Sequence, residues 1–463
     1  MSKKIFILVP DGVSLRNFAY TSFYKLGIEK GYKVIFWNNT PFDLNSLGYN
    51  QINFEKPKLH PITDILKSVI TRVEINLFGK RESDAIYNEY LFPLSFSGFK
   101  KSFKSILVLI ISYLFSSEKG ILKLRSKINN LERSTPYFQN CKKILELENP
   151  DFIFCTSQRS ITSIAPLLAA KELGIPSASF IFSWDNVPKA TTVVTTDYYF
   201  VWSDYMKNEL ISYQKYILNS QVFVTGTPQF EPQFEKDRLL TRQDFFVKNN
   251  IDINCTLLCF SGDDITTSPK DELYLRDVAN AIRILNKSGQ NIKLIFRRCP
   301  VDFSGRYKSV IKEFADEIID MPPLWKKIGN QWNTILPTKE DLNLQANIIA
   351  HSIAVINLAS SMVFEYICHE KPCAYLNYNY LNKEETSEKG VYLYDYVHFR
   401  SMPSQESVIW LSDPENIAED IQKMIQGVPE TITYAKQWFE TINMHPPQEA
   451  SSRIWNVITK IIS

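Results

Sequence analysis

Short apolar runs alternate with helix-periodic stretches along most of the chain. KIFILVP (residues 4–10) predicts a first strand, residues 13–30 a helix, and YKVIFW (32–37) a second strand after the helix-ending Gly31. DFIFC (151–155) predicts a further strand, entered from a long helix that stops near Asn149-Pro150. Residues 161–173 read as a helix closed by Gly174, followed by strand-like runs at 176–182, 198–202 and 221–225. Residues 228–254 are polar and charged, contain two prolines and read as a linker. The alternation then restarts, with strands at 256–262, 293–300, 354–358 and 372–376 and a strand-like run at 332–336. Helices are expected at 270–287, 309–314, 339–351 and 362–369. This pattern predicts an α/β chain with two Rossmann-like domains facing a cleft. The first would span 1–235, rejoined by a C-terminal helix at 446–463, and the second 250–430.

Composition adds limits. The 463 residues leave room for two or three ordinary domains, and 44% hydrophobic with 22% charged residues is a globular balance. A formal net charge of +2 supplies no field for nucleic acid. Seven scattered cysteines form no zinc-spaced set and fit a reducing cytoplasm. No HExxH, Walker A or GxSxG pattern is present, and no metal or other cofactor is expected. The apolar run after MSKK is too short for a signal peptide. The most apolar stretch, ILVLIISYLF (106–115), falls well short of the roughly 20 residues of a spanning helix. Lysines flank it on both sides. It reads either as a buried core helix with solvated flanks or as an element resting on an anionic membrane surface.

The segment VINLASSMVFEYICHEKP (355–372) carries the main chemical signal: a strand breaks into Ser360-Ser361 and becomes a helix bearing Glu365. Free N–H groups and the helix dipole favour an anion there, while Ser361 is also an ordinary N-cap. Glu365, one turn after Ser361, could accept hydrogen bonds from sugar hydroxyls. In LIFRRCP (294–300) a strand runs into Arg297 and Arg298, whose guanidinium groups match phosphate oxygens or simply cover a strand end. His398 and Arg400, in an aromatic loop, suit a phosphate or a reacting sugar, and a structural histidine equally.

LPTKEDL (336–342), AHSIAVINLASS (350–361) and the following Glu365 and Lys371-Pro372 resemble, in that order, the nucleotide-binding half of GT-B glycosyltransferases. The likeness is greatest to bacterial surface-polysaccharide transferases and to glycerophosphotransferases acting on CDP-glycerol. It extends through FSWDNVPKA (182–190) and VTGTPQFE (224–231), with Cys299 standing where relatives carry histidine and Glu231 where they often carry aspartate. The resemblance implies that Ser360, Ser361, Arg297 and Arg298 hold a donor diphosphate and Glu365 the ribose. It places the catalytic base in the first domain, at Asp11 or Asp185, with Arg16, Trp184 and Asn186 on the acceptor side. Asp11 reads equally as a helix cap.

The implied function is transfer of a sugar from a nucleotide-sugar donor to a glycan or lipid-linked saccharide. The protein is expected in the cytoplasm, and at the inner face of the membrane if 106–115 is the element that rests on lipid. Transfer of a polyol phosphate, sugar-nucleotide epimerisation and non-catalytic nucleotide binding are the alternatives.

Overall fold

The computed structural model describes residues 2–53, 57–329, 334–380 and 391–463. The chain divides into two compact units. Unit 1 comprises Met1–Pro228, Tyr396–His398 and Ile442–Ser463; unit 2 comprises Gln229–Asp395 and Phe399–Thr441.

Unit 1 opens with β1 (Lys4–Val9), α1 (Gly12–Phe18), α2 (Ser22–Glu29), β2 (Lys33–Asn38) and β3 (Gln51–Asn53). Four helices follow: α3 (Thr63–Glu82), α4 (Phe99–Leu114), α5 (Glu118–Arg133) and α6 (Pro136–Glu148). Then come β4 (Phe152–Cys155), α7 (Ile164–Glu172), β5 (Ser177–Phe180), β6 (Tyr198–Val201), α8 (Asp204–Tyr213) and β7 (Val222–Val224). The seven strands are parallel, in the order β3-β2-β1-β4-β5-β6-β7. Helices cover both faces, so Ile5 to Val9 of β1 are all buried and read as one apolar run.

Unit 2 contains α9 (Arg242–Lys248), β8 (Thr256–Ser261), α10 (Asp271–Lys287), β9 (Ile292–Arg297), α11 (Lys308–Glu313) and β10 (Ile318–Asp320). β11 (Lys326–Lys327) and β12 (Ile335–Leu336) form a small antiparallel ribbon. α12 (Lys339–His351), β13 (Val355–Asn357), α13 (Met362–Ile367), β14 (Cys373–Leu376), β15 (Ile409–Leu411), α14 (Ile417–Gln426) and α15 (Pro429–Ile442) complete it. Its parallel sheet runs β10-β9-β8-β13-β14-β15, the same order as the first six strands of unit 1 when each is renumbered from its own first strand. Both sheets therefore have Rossmann topology.

The last helix, α16 (Ala450–Ile462), packs on α2 in unit 1. Trp455 stacks on Phe23 (4.8 Å) and Tyr32 (5.2 Å), and its indole N–H donates to the Phe23 carbonyl (2.8 Å). Gly27 makes room for it: a Cβ there would meet the Trp455 ring, lying 2.8 Å from Cε2 and 2.8 Å from Cγ2 of Val34. Gly27→Ala is therefore expected to destabilise unit 1 by about 1–3 kcal/mol through overpacking. A lowered thermal midpoint checks it; an unchanged midpoint would mean that α16 shifts freely.

Three sequence expectations need correction. The single helix expected over 13–30 is two, because Thr21 donates its hydroxyl to the Asn17 carbonyl (2.7 Å) and accepts from the Phe23 N–H (3.4 Å), closing α1 and opening α2. The expected linker contains α9, capped by Thr241, which accepts from the Asp244 N–H (3.1 Å) while Phe245 and Phe246 are buried. The stretch 106–115 is not a buried core helix. α4 turns Ser105, Val108 and Ser112 inward and leaves most of its large apolar residues exposed. Of the strand-like run 332–336, residues 332 and 333 lie outside the described residues.

Candidate functional site

In each sheet the strand order reverses beside the first strand, and a doubly wound fold binds ligands at the carboxyl ends of the strands flanking that point. In unit 1 these strands are β1 and β4; in unit 2 they are β8 and β13.

In unit 1, the residues following β1 are Pro10 and Asp11. Asp11 caps α1, accepting from the Ser14 N–H (2.8 Å), and is 7% exposed. Burial raises its proton affinity above the ordinary carboxylate range, against the hydrogen bonds from Ser14 and the charge of Arg159. Arg159 follows β4, so the two sides of the crevice carry a carboxyl group and a guanidinium. Ser157, on the same turn, has a buried hydroxyl with no partner among the described residues. Arg16, one turn into α1, is partly buried and donates to Asn17 Oδ1 (3.4 Å).

The loop after β5 is tied to the end of β4 by Gln158. Gln158 accepts from the Phe182 N–H (2.9 Å) and donates to Asn186 Oδ1 (3.1 Å) and Thr191 Oγ1 (3.1 Å). Asn186 is buried and in turn donates to Asp185 Oδ1 (3.0 Å). Asp185 pairs with Lys189. Burial opposes the Asp185 charge, but Lys189 holds its carboxyl below the usual range, so it stays ionised. His398 belongs to this unit: Trp184 meets its ring edge-on at 4.8 Å, and the Tyr90 hydroxyl lies 3.1 Å from its Nδ1. Burial pushes His398 down to about 3, against the pull of Asp185, so its imidazole is neutral at physiological pH. Glu209 of α8 is pushed up to about 8 by burial alone. Gln158, Tyr90 and Glu209 were not singled out from sequence. Gln158 had a signal, a polar TSQR run leaving a buried strand; Tyr90 and Glu209 had none.

In unit 2, the turn after β13 is wired from within. Ala359 has φ +54°, its N–H donates to the Tyr394 hydroxyl (3.3 Å), and the Ser360 carbonyl accepts from Tyr375 (2.9 Å). The Ser360 N–H donates to Asn357 Oδ1 (2.9 Å), and its hydroxyl accepts from the Met362 N–H (3.3 Å). Ser361, at the N-cap position, makes no side-chain cap. Glu365 is 3% exposed, accepting from Gln345 Nε2 (2.6 Å) and Gln229 Nε2 (3.3 Å).

The two arginines diverge. Arg297 Nη2 donates to both oxygens of Asp341 (2.8 Å each), and Asp341 also accepts from the Leu324 N–H (2.7 Å) and Trp325 Nε1 (2.7 Å). Arg298 donates to the carbonyls of Cys299 (3.0 Å) and Asp302 (2.8 Å). The fork expected of both arginines is in each case directed at the chain itself. Arg400 is exposed and lies in unit 2, whereas its near neighbour His398 lies in unit 1.

Gly262, after β8, is explained by packing: a Cβ would lie 3.1 Å from both Asp271 Oδ2 and the Tyr307 hydroxyl. Arg306 Nη2 donates to the Asp263 carbonyl (2.8 Å), and its Nε to Asp302 (2.9 Å). Burial, with Asp271 and Asp264 nearby, pushes Asp263 up to about 8. A carboxyl that binds its proton more tightly when folded contributes stability that is full below its unfolded value of 3.8 and lost as pH rises through about 8. Thermal stability should therefore decline towards alkaline pH, and Asp263→Asn should flatten that decline. Melting curves from about pH 5 to about pH 9 check this, and parallel profiles for the two proteins would contradict it. Among the described residues, no group of three or more His, Cys, Asp or Glu side chains is arranged to hold a metal ion.

Two Rossmann-like units of this kind define the GT-B type of fold, and solved structures carry the same architecture. A UDP-N-acetylglucosamine 2-epimerase from Listeria monocytogenes, described as putative, is similar with a TM-score of 0.53 at 11% identity, covering 100% of this chain and 97% of its own. A glycosyltransferase from Rickettsia africae gives 0.51 at 12%, with coverage of 100% and 98%. The wall teichoic acid polymerase TagF gives 0.50 at 10%, with coverage of 100% and 89%. No protein-family profile matches the chain, and no curated protein matches it in sequence.

Proposed function

We propose that the protein transfers a glycosyl group from a nucleotide-sugar to a hydroxyl of a surface glycan or lipid-linked saccharide. The observation that carries this reading is Asp11, a buried carboxyl of raised proton affinity at the crevice where the strand order of unit 1 reverses. The acceptor oxygen bonds to the anomeric carbon as its proton passes to Asp11, and the bond from that carbon to the diphosphate oxygen breaks. Asp185, held ionised by Lys189, acts by charge, which makes Asp11 the stronger candidate for the base. In unit 2 the donor diphosphate is assigned to the turn after β13, where Ser361 keeps its hydroxyl out of the helix cap. Arg400 joins it as an exposed cation. Glu365, clamped by two glutamines, orients that turn and takes the ribose only if Gln229 yields.

A second reading, sugar-nucleotide epimerisation, is supported by the similarity to the Listeria epimerase over the whole chain. One experiment separates the two. The protein is incubated with a panel of nucleotide-sugars, with and without saccharide acceptors, and the products are resolved by NMR. Nucleoside diphosphate released only with acceptor supports transfer. A new sugar-nucleotide isomer formed without acceptor would overturn it in favour of the epimerase.

A further inference from the structure

The helix α4 is built inside out. Its inward stripe is Ser105, Val108 and Ser112, whereas Phe99, Phe103, Ile106, Ile110, Tyr113 and Leu114 are 47–87% exposed. At 3.6 residues per turn these six side chains fall within an arc of about 100° along a helix roughly 24 Å long. Phe92 (91% exposed) and Phe96 (56%) extend the apolar surface before the helix. Together these residues present on the order of 1,000 Å² of apolar area, against the few hundred Å² of an ordinary exposed patch. No helix among the described residues is long and apolar enough to cross a membrane.

The charge around this face identifies what covers it. Between residues 92 and 123 stand Lys100, Lys101, Lys104, Lys119 and Lys123, against one acid, Glu118. Glu118 is already paired with Arg81 (2.7 Å), and Lys104 with Asp64 (2.5 Å). An interface with a second copy of the chain would deplete lysine. Lys100 stands at one edge of this apolar and aromatic stripe, Lys101 and Lys104 lie further round the first turns of the helix, and Lys119 and Lys123 follow its end. A stripe with lysines clustered at both helix ends suits the boundary of an anionic bilayer, where rings enter the headgroup layer and ammonium groups meet lipid phosphates.

We infer that α4 is a membrane-docking helix that lies in the plane of an anionic lipid surface and seats unit 1 upon it. This inference does not depend on the proposed reaction. The test is co-sedimentation of the full chain with phosphatidylcholine vesicles, alone and with about 30% phosphatidylglycerol. Binding should be at least about tenfold stronger to the anionic vesicles and weaken as salt rises. Phe103→Glu with Ile110→Glu should reduce binding at least about tenfold without lowering the melting temperature, both residues being exposed. Lys100→Ser with Lys101→Ser should erase much of the preference for anionic lipid while leaving the apolar face intact. Absence of vesicle binding, or binding indifferent to the Phe103 and Ile110 changes, would overturn the inference. So would a dimer in light scattering that those changes dissociate while vesicles go unbound, since the face would then cover a second copy.

Discussion

Asp11→Asn is expected to lower turnover by about 10²- to 10⁴-fold, the range of a lost general base. Asparagine keeps an oxygen that can accept from the Ser14 N–H, so the cap of α1 and the fold around it persist. The Michaelis constant for the donor should change little, because the proposed donor groups lie in unit 2. The pH profile supplies an independent sign. A base must be deprotonated to act, and burial raises the proton affinity of Asp11, so activity should fall on the acid side at a pH above the ordinary carboxylate range. That limb should vanish in Asp11→Asn. Steady-state kinetics across pH decide it: turnover within about threefold of the parent would remove Asp11 from the chemistry.

Asp341→Ala should destabilise unit 2 by about 3–5 kcal/mol, since it leaves a buried guanidinium uncompensated. The side chains of Arg297 and Asp341 are 7% and 3% exposed, and Asp341 takes its remaining bonds from Leu324 and Trp325. Hydrogen exchange in the peptides of β9 and α12 is the readout, because it reports unit 2 without assuming that the whole chain unfolds in one step. The double change Arg297→Met with Asp341→Leu should recover most of the loss, both charges being gone. If the single change costs less than about 1 kcal/mol, water must reach Arg297 and the pair is not a structural anchor.

Strands such as KIFILV and TLLCFS were legible because parallel strands buried on both faces show as unbroken apolar runs. Helix α12 was legible from Thr338, which caps it by accepting from the Asp341 N–H (3.1 Å). The short edge strands β3, β10 and β15 were not, having three residues each and little burial pattern to read. α4 was legible as apolar, with a buried and a surface-resting reading both open, since periodicity gives the faces of a helix and tertiary packing decides which face turns in. The candidate site divides in the same way. Ser360, Ser361 and Asp11 announce themselves where strands end. The partnership of Arg297 with Asp341, or of His398 with Trp184, joins residues far apart in sequence, and no local pattern carries it.

Unit 1 is assembled from three stretches of chain, and the last contains Trp455. This has a consequence for synthesis. Between Pro228 and Ile442 the ribosome must add 442 − 228 = 214 residues, which at about 5–20 residues per second takes roughly 10–40 s. Throughout that interval Phe23, Tyr32 and the groove at Gly27 lack the indole that covers them, while Gln229–Asp395 and Phe399–Thr441, the two stretches of unit 2, emerge and can close on each other. The middle of the polypeptide can thus reach its native form before the beginning does. A nascent chain arrested before residue 450 would carry an uncapped aromatic groove near its amino terminus, a natural target for a holding chaperone.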